Sequence, residues 1–451
     1  MQKASQCPGL DFGQVFAPTA RWAALRAIFA LVALEDLDMY SVDVSNAFLN
    51  GELDHEVYMQ QPEGFESRFG HGTVLQLRRA LYGLKQAGHQ WHKKLDEVLT
   101  ASEFKLVRCD NSIWVYQRDS TRIIVPVYVD DMTIVCKSRS EYAAVVSELK
   151  QHFKLKELGE TSSLLGVYIE RDRSNRRLCI SQQHYLEDVL ERFKLGNMHP
   201  VSTPLDPGLR LSKDQAPQTD SEHSEMSRVP YSQLVGALMY LAIATRPDIA
   251  HSVGVLARFS SNPGLAHWKA LKHLCRYLHG TKGAKLCYQP DSSCSEAFVT
   301  FADADYAGDV DSRRSTSGMV VKMGSGAISW ASRLQPVVTL STTEAEYISA
   351  TAAAQEILWL HNLFKEIGYE VEGASSLYLD NQSAIAVSRN PEHHGRMKHL
   401  DLRHYWLRDT VKSGVVDVKY IPTASMPADI MTKSLPKTTV EGMRRMLGLE
   451  L

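Results

Sequence analysis

Ile123-Ile124-Val125-Pro126-Val127-Tyr128-Val129-Asp130-Asp131-Met132-Thr133-Ile134-Val135 sets two apolar strand patterns around a pair of aspartates. Runs of β-branched and aromatic residues broken by a short polar step read as a hairpin, here with Asp130-Asp131 as the two-residue turn. Adjacent carboxylates at a hairpin tip repel one another until cations neutralise them. Hard oxygen ligands of this kind suit Mg²⁺, which takes a few carboxylates and fills its remaining positions with water and phosphate. Upstream, Met39-Tyr40-Ser41-Val42-Asp43 is another strand pattern, and it ends in a carboxylate. Laid beside the hairpin, Asp43 completes a trio able to hold two divalent ions for in-line phosphoryl transfer. A plain surface turn is the alternative reading of Tyr128-Val129-Asp130-Asp131 taken alone.

A second acidic set lies in the C-terminal third. Phe298-Val299-Thr300-Phe301-Ala302-Asp303 and Leu377-Tyr378-Leu379-Asp380 are strand patterns that end in acids. Between them, Ser341-Thr342-Thr343-Glu344 is a capping box, so Glu344 is expected to fold back onto the start of a helix. Glu346 instead heads the stripe Ala350, Ala353, Ile357, Leu360 and Phe364, the face such a helix turns to a sheet. A carboxylate at the head of a buried stripe needs a cation or a partner. Asp429 follows the strand pattern from Val415 to Ile421 and opens a further helical turn. Four acids converging from these elements would again hold two Mg²⁺ ions, although each alone also reads as a cap or a solvated group.

The rest of the chain frames these sets. Its 451 residues suffice for two or three domains, and 44% hydrophobic with 23% charged residues is an ordinary globular balance. A formal charge of −2 gives no overall basic footprint for phosphate, so any nucleic-acid surface must be local. Basic residues do gather at Arg78, Arg79, Lys85, His89, His92, Lys93 and Lys94, and again between Arg389 and Arg408, although solvated helix faces read the same way. Seven scattered cysteines without a C-x-x-C pair argue against a disulfide framework or zinc knuckle and for reduced thiols. The N-terminus carries no apolar signal core, and the apolar runs near 27–34 and 234–244 are too short to span a bilayer. Val201 to Arg228 is rich in Ser, Asp, Gln and Pro and reads as a loop or linker, and Tyr231 to Leu278 has a helical pattern.

Further motifs surround the acids in a fixed order. Asp43-Val44-Ser45-Asn46-Ala47-Phe48-Leu49-Asn50-Gly51 is followed by Leu77-Arg78-Arg79-Ala80-Leu81-Tyr82-Gly83-Leu84-Lys85-Gln86-Ala87 and then by Tyr128-Val129-Asp130-Asp131. Later come Thr245-Arg246-Pro247-Asp248-Ile249, Phe301-Ala302-Asp303-Ala304-Asp305, Ser341-Thr342-Thr343-Glu344-Ala345-Glu346-Tyr347, Asp380-Asn381-Gln382-Ser383-Ala384 and Pro427-Ala428-Asp429-Ile430-Met431-Thr432-Lys433. This succession, which covers nearly the whole chain, resembles the reverse transcriptase and ribonuclease H region of copia-type retrotransposon Pol polyproteins.

The resemblance implies an α+β reverse-transcriptase palm with partial fingers over 1–195 and a linker over 196–230. A helical thumb or connection would follow over 231–295, an α/β ribonuclease H-like domain over 296–440, and a tail over 441–451. It implies DNA synthesis on RNA or DNA templates, with Asp43 and Asp130 ligating both metals and Asp131 in support. Phe48 would be the aromatic gate that excludes a ribose 2′-hydroxyl, with Tyr128 and Gln86 also contacting substrate. Asp303, Glu346, Asp380 and Asp429 would cleave RNA in RNA–DNA hybrids. Each site would hold two Mg²⁺ ions, with Mn²⁺ as a substitute. Expected partners are the RNA template, the RNA–DNA hybrid, deoxynucleoside triphosphates, and capsid and integrase parts of the same polyprotein, with no membrane. The expected location is intracellular, in cytoplasmic virus-like particles or the nucleus. Lys269, Lys272, His273 and Arg276 are expected to track the hybrid between the sites.

Three features depart from the family pattern. Ala87-Gly88-His89 stands where Ala-Pro-Arg is usual, which loses a rigid turn and a fixed charge. Arg403-His404-Tyr405 inverts the usual aromatic and histidine after the arginine, so a product-release role would pass to His404. The family's basic fingers strands would lie before Met1. The alternative expectation is therefore a truncated, polymerase-inactive remnant that retains at most ribonuclease H cleavage or nucleic-acid binding.

Overall fold

Strand Asp38–Val44 buries Tyr40, Val42 and Val44 on one face and leaves Asp43 half-exposed, as a period of two dictates, and Met39 is buried as well. The computed structural model describes residues 6–65, 70, 73–292, 295–389 and 401–451, without the side chains of 401–405. The 38–44 strand is second from one edge of a six-stranded antiparallel sheet. In spatial order its strands are Lys105–Leu106, Ile113–Arg118, Thr121–Tyr128, Asp131–Cys136, Asp38–Val44 and Leu155–Glu160. Helix Ala87–Ala101 lays Trp91, Leu95, Val98 and Leu99 onto this sheet, and Arg139–His152 adds Tyr142, Val145, Val146 and Leu149 to the same core. The second helix starts on a capping box made by Ser138 and Glu141. A separate hairpin, Glu52–Gln60 with Val74–Arg79, begins beside Gly51, where a Cβ would meet the backbone of Gln90 and Trp91 at 2.9 Å. Only glycine allows that approach. With Met1–Arg21 and Lys365–Tyr369, these elements form one compact unit.

The hairpin turn differs from the sequence expectation by one residue. Tyr128 pairs with Asp131, so the turn residues are Val129 and Asp130 rather than the two aspartates. Val129 adopts φ 61°, a conformation unfavourable for a β-branched side chain. Two bonds hold it there: Trp91 Nε1 donates to the Val129 carbonyl at 2.6 Å, and Val44 N donates to the Asp130 carbonyl at 3.1 Å.

The second unit comprises Trp22–Asp36, Ser162–Phe364 and Glu370–Leu451. Its larger sheet runs Gly326–Leu334, Thr316–Met323, Val299–Ala304, Ser375–Leu379 and Val416–Tyr420. The first three strands form an antiparallel meander, and the last two are parallel to the 299–304 strand. Helix Thr342–Glu366 makes the crossover into 375–379 and buries Ala350, Ala353, Ile357, Leu360 and Phe364. A smaller sheet, ordered 449–450, 285–288, 177–181, 167–172 and 163–164, lies in the same unit. Helices Gln183–Arg192, Tyr231–Ala244, Ala250–Ala257, Leu265–Gly280 and Lys437–Met446 share one core with Val320, Ala327, Met426 and Met431.

Compactness therefore does not follow contiguous sequence. Residues 22–36 and 162–195 pack with the C-terminal two-thirds: helix Trp22–Leu34 is buried almost throughout, strand Arg177–Ser181 pairs with 285–288, and Leu186, Val189 and Leu190 join the helical core. The charge in that helix is fully satisfied: Arg26 donates to the carbonyls of Ile328, Ile243 and Ala244 and lies 3.7 Å over the ring of Trp330. Burial pulls its pKa down to about 10. Within 196–230, a seven-residue helix, Asp220–Met226, starts on a Thr219–Glu222 capping box.

The cysteine reading is corrected at one pair. Cys179 and Cys287 stand opposite each other in the smaller sheet and are joined by a disulfide, although 108 residues separate them along the chain. Pairing across neighbouring strands leaves no spacing signature in the sequence. Cys7, Cys109, Cys136 and Cys275 form no disulfide. Among the described residues, no helix is long and apolar enough to cross a membrane.

Candidate active sites

In the first unit, Asp43 lies in register with Asp131 on the adjacent antiparallel strand, one position from the turn that carries Asp130. Burial, then the charges of Asp130 and Asp43, pushes the Asp131 carboxyl above its ordinary range. Phe48 sits in the short 3-10 turn Ala47–Asn50, its ring 4.8 Å from that of Tyr82. The Tyr82 phenol is raised by burial and then by Asp130 and Asp43, which puts this half-exposed ring beside the acids. Tyr82 lies within a motif the sequence supplied, yet no spacing argument singles it out. Tyr128 is 37% exposed at the end of its strand. Gln86 is the exception among the expected contacts. It is 0% exposed, and its amide donates to the Asp11 carbonyl and accepts from Gln6. Its side chain serves packing in this structure, because a polar group inside the core must find internal partners.

In the second unit, Gly318 explains how the acids meet. A Cβ there would lie 2.6 Å from Thr432 Cγ2 and 2.9 Å from the Ala428 carbonyl, so the 3-10 turn Pro427–Met431 rests flush on the strand opposite Asp303. That turn brings Asp429 and Thr432 to Asp303, whose carboxylate accepts from Thr432 Oγ1. Ser349 Oγ donates to the carbonyls of Asp303 and Gly318 and fixes helix 342–366 over the strand. One turn earlier on that helix is Glu346. The expected division between the two glutamates holds in outline: Glu344 N donates to Ser341 Oγ, and the Glu344 carboxylate reaches back to Leu340 N. Asp380 ends its strand and accepts from Thr423 Oγ1 at 2.7 Å, while Asn381 caps the helix that follows.

Oxygens of Asp303, Glu346 and Asp380 lie within 4.8 Å of one another, the trio among the described residues with that spacing. Asp43, Asp130 and Asp131 are not drawn so close. Lys433 Nζ stands 2.9 Å from Asp429 and 3.7 Å from Asp303, which ties the fourth acid to the trio. Burial, then Asp303 and Asp380, raises the Glu346 carboxyl far above its usual range; burial, then Asp303, raises Asp429. Glu346 Oε2 is buried without a hydrogen-bond partner among the described residues. An oxygen-only set, buried at Asp303 and Glu346 and half-buried at Asp380, with the Glu346 Oε2 oxygen unpartnered, fits a hard divalent cation. Sequence reasoning missed Thr432, Lys433 and the nearby Asp305, whose carboxylate accepts from Thr316 N and which burial pushes to about 6.

These shifts fix a pH dependence. A carboxyl whose pKa is raised by folding contributes stability that is complete below its ordinary range, about 4, and is lost as pH climbs through the raised value. The melting temperature of the metal-free protein should therefore fall from pH 5 toward pH 9. Glu346→Gln should flatten that fall, and Mg²⁺ should reverse it at the alkaline end. Calorimetry across that range checks all three, and identical pH slopes for the two proteins would refute the assignment.

On helix 265–280 the spacing puts Lys269, Lys272, His273 and Arg276 on one face. Arg276 donates to the His199 carbonyl, His273 bonds the Thr203 carbonyl, Lys272 lies 5.6 Å over the Trp268 ring, and Lys269 is exposed. The Lys398–His404 segment lies outside the residues whose side chains are described, so His404 has no place in this geometry.

Residues 1–207 match the family model described as reverse transcriptase (RNA-dependent DNA polymerase). The chain is 43% identical over 98% of its length to the retrovirus-related Pol polyprotein from transposon TNT 1-94 of Nicotiana tabacum, and it covers 33% of that protein. It is 35% identical over 99% of its length to the corresponding polyprotein from transposon RE1 of Arabidopsis thaliana, covering 30% of it. A protein assigned to transposon Ty5-1 of Saccharomyces cerevisiae is 30% identical over 70% of this chain and is covered completely. The chain thus spans about a third of the length of the curated polyproteins it matches. With matches that span nearly its whole length, the chain belongs to the copia-type retrotransposon Pol polyproteins.

Proposed function

We propose that the second unit cleaves the RNA strand of RNA–DNA hybrids at Asp303, Glu346, Asp380 and Asp429. The observation that carries this reading is the convergence of three acids within 4.8 Å around an unpartnered, buried Glu346 oxygen. Two Mg²⁺ ions held by such a set would neutralise the phosphodiester and activate water for in-line displacement. The chain's own part is orientation. Thr432 Oγ1 holds one carboxylate oxygen of Asp303, and Lys433 holds Asp429 while offering a cation toward an incoming phosphate. The helical connection and the ribonuclease H-like sheet act together in this reading, since they share one core.

A second activity is favoured by the register of Asp43 with Asp131 beside the Asp130 turn. In this reading the first unit is a palm that extends a primer on an RNA or DNA template from deoxynucleoside triphosphates. In this reading Phe48, whose ring lies 4.8 Å from that of Tyr82 in a tilted arrangement, limits the space beneath the incoming sugar, and Tyr128 contacts the substrate. The template and hybrid are the macromolecular partners, together with capsid and integrase parts of the polyprotein. Asp130→Asn should abolish primer extension, with a loss of about a thousandfold, the scale of removing one group that stabilises transition-state charge. Hybrid cleavage by the same variant should be unchanged. Extension that survives this substitution rules out the palm assignment.

A further inference from the structure

Residues 305–315 join the strand that carries Asp303 to its antiparallel neighbour, strand Thr316–Met323. Local preference does not hold this loop in shape. Ala307 and Arg313 adopt positive φ, 53° and 57°, a region that disfavours any residue with a Cβ. Gly308 lies so near Asp305 that a Cβ there would collide with its carboxylate. Asp305 in turn accepts from Thr316 N across the mouth of the loop, two residues beyond Asp303. Whatever holds Gly308 in place therefore acts on the end of the Asp303 strand.

Asp309, the next residue, supplies that hold. One of its carboxylate oxygens accepts from Ser312 N and Oγ, both at 2.7 Å, and the other accepts from Arg258 Nη1 at 2.7 Å. Burial works to raise this carboxyl, but the Ser312 bonds and the Arg258 charge outweigh it, so Asp309 stays below the usual carboxylate range and ionised. Arg258 also reaches Thr316 Oγ1 at 3.4 Å, so one guanidinium spans the middle of the loop and the start of the next strand. The side chains of Arg258 and Asp309 are 23% and 10% exposed, which leaves the pair poorly screened by water. Arg258 itself is firmly based. It follows helix Ala250–Ala257, whose Val253 and Leu256 lie in the helical core, and the Leu256 carbonyl accepts from the buried Tyr231 hydroxyl at 2.8 Å.

We propose that Arg258 is a positioning residue for the four-acid site: by clamping Asp309 it seats the 305–315 loop and fixes the strand end that presents Asp303. The helical layer thereby completes the site without lending it a ligand. The assignment rests on the ribonuclease reading and deepens it.

The test compares Arg258→Gln, Arg258→Lys and Asp309→Asn in the full chain. Hydrogen exchange of the metal-free protein reads the loop, and single-turnover cleavage of an RNA–DNA hybrid in Mg²⁺ reads the site. Anisotropy in Ca²⁺, which keeps the strands intact, gives the hybrid dissociation constants. In Arg258→Gln the amides of 305–315 should exchange at least about tenfold faster, the scale of one charge-assisted hydrogen bond. Cleavage should slow by about ten- to a hundredfold, the scale of a small misplacement at a reacting centre, with hybrid affinity held within about twofold. Asp309→Asn should match Arg258→Gln, and the double variant should be no worse than either, since both act through one contact. Lysine can hold Asp309 but cannot span to Thr316, so Arg258→Lys should recover part of both readouts. Lys285→Gln, which breaks an exposed ion pair with Glu170 elsewhere in the unit, should move neither. Unchanged cleavage in Arg258→Gln overturns the proposal, as does an effect confined to hybrid affinity or additive losses in the double variant. If Arg258→Gln fails to fold, Asp309→Asn, which keeps the shape of its side chain, decides by the same readouts. Failure of the ribonuclease reading is separately visible, as absence of Mg²⁺-dependent cleavage by the unaltered chain, and the exchange rates then still report whether the clamp seats the loop.

Discussion

Asp303→Asn should reduce cleavage of an RNA–DNA hybrid by at least about a thousandfold, the scale of removing an electrostatic group aimed at developing charge. Asp303 is the hub of its site. Its carboxylate accepts from Thr432 and lies 3.7 Å from Lys433, and its charge raises the carboxyls of both Glu346 and Asp429. Asparagine keeps the shape and one acceptor for Thr432 but loses the charge that a cation needs. The folded protein should survive, since the change removes a repulsion between buried acids. Two readouts therefore accompany the loss of cleavage: cooperative thermal unfolding is retained, and the fall in stability from acid to alkaline pH becomes shallower. Lost cleavage with an unfolded protein would make Asp303 a packing residue and undo this argument.

Asp248→Ala carries the largest expected cost in stability, about 3–5 kcal/mol. Asp248 is 1% exposed; it accepts from Arg246 Nε at 2.8 Å and Nη2 at 2.7 Å, and from the Tyr277 hydroxyl at 2.6 Å. Arg246 also donates to the carbonyl and hydroxyl of Thr281, and Arg444 reaches the Tyr277 hydroxyl at 3.4 Å. This network ties the 3-10 turn Pro247–Ile249 to helices 265–280 and 437–446. Alanine would leave the Arg246 guanidinium buried without its counter-charge, which costs far more than the lost bonds. Arg246→Met combined with Asp248→Leu should be markedly less damaging than Asp248→Ala alone, because both charges leave together. Denaturant melts of the three proteins check the order. A double variant as unstable as the single one would show that geometry, not uncompensated charge, sets the cost.

The acids themselves were legible in the sequence, because a carboxylate that ends an apolar strand or heads a buried stripe has few reasons to be there. Asp303, Glu346 and Asp380 meet as that logic requires. Their surroundings were not legible. Thr432 and Lys433 reach Asp303 only because Gly318 lets a turn from a distant segment lie against its strand, and no local pattern encodes that approach. The hairpin was visible, but its turn was misplaced by one residue. Propensity assigns Val129 to the strand, and only the bonds from Trp91 and Val44 hold it at positive φ. Gln86 reads as a polar contact in a basic motif, yet it lies inside the core against the N-terminal segment. Helix 22–34 was visible in the sequence only as an apolar run near 27–34 too short to span a bilayer, with nothing to say which core would take it. That choice rests on the carbonyls that receive Arg26.

The most direct test of the central claim is incubation of the purified, unaltered chain with an end-labelled RNA–DNA hybrid across a Mg²⁺ titration, alongside RNA–RNA and DNA–DNA duplexes of the same sequence. The account predicts cleavage of the RNA strand of the hybrid alone, absent in chelator and saturating with Mg²⁺. Folded protein that leaves the hybrid intact at every Mg²⁺ concentration, or that cuts it equally well in chelator, would contradict it.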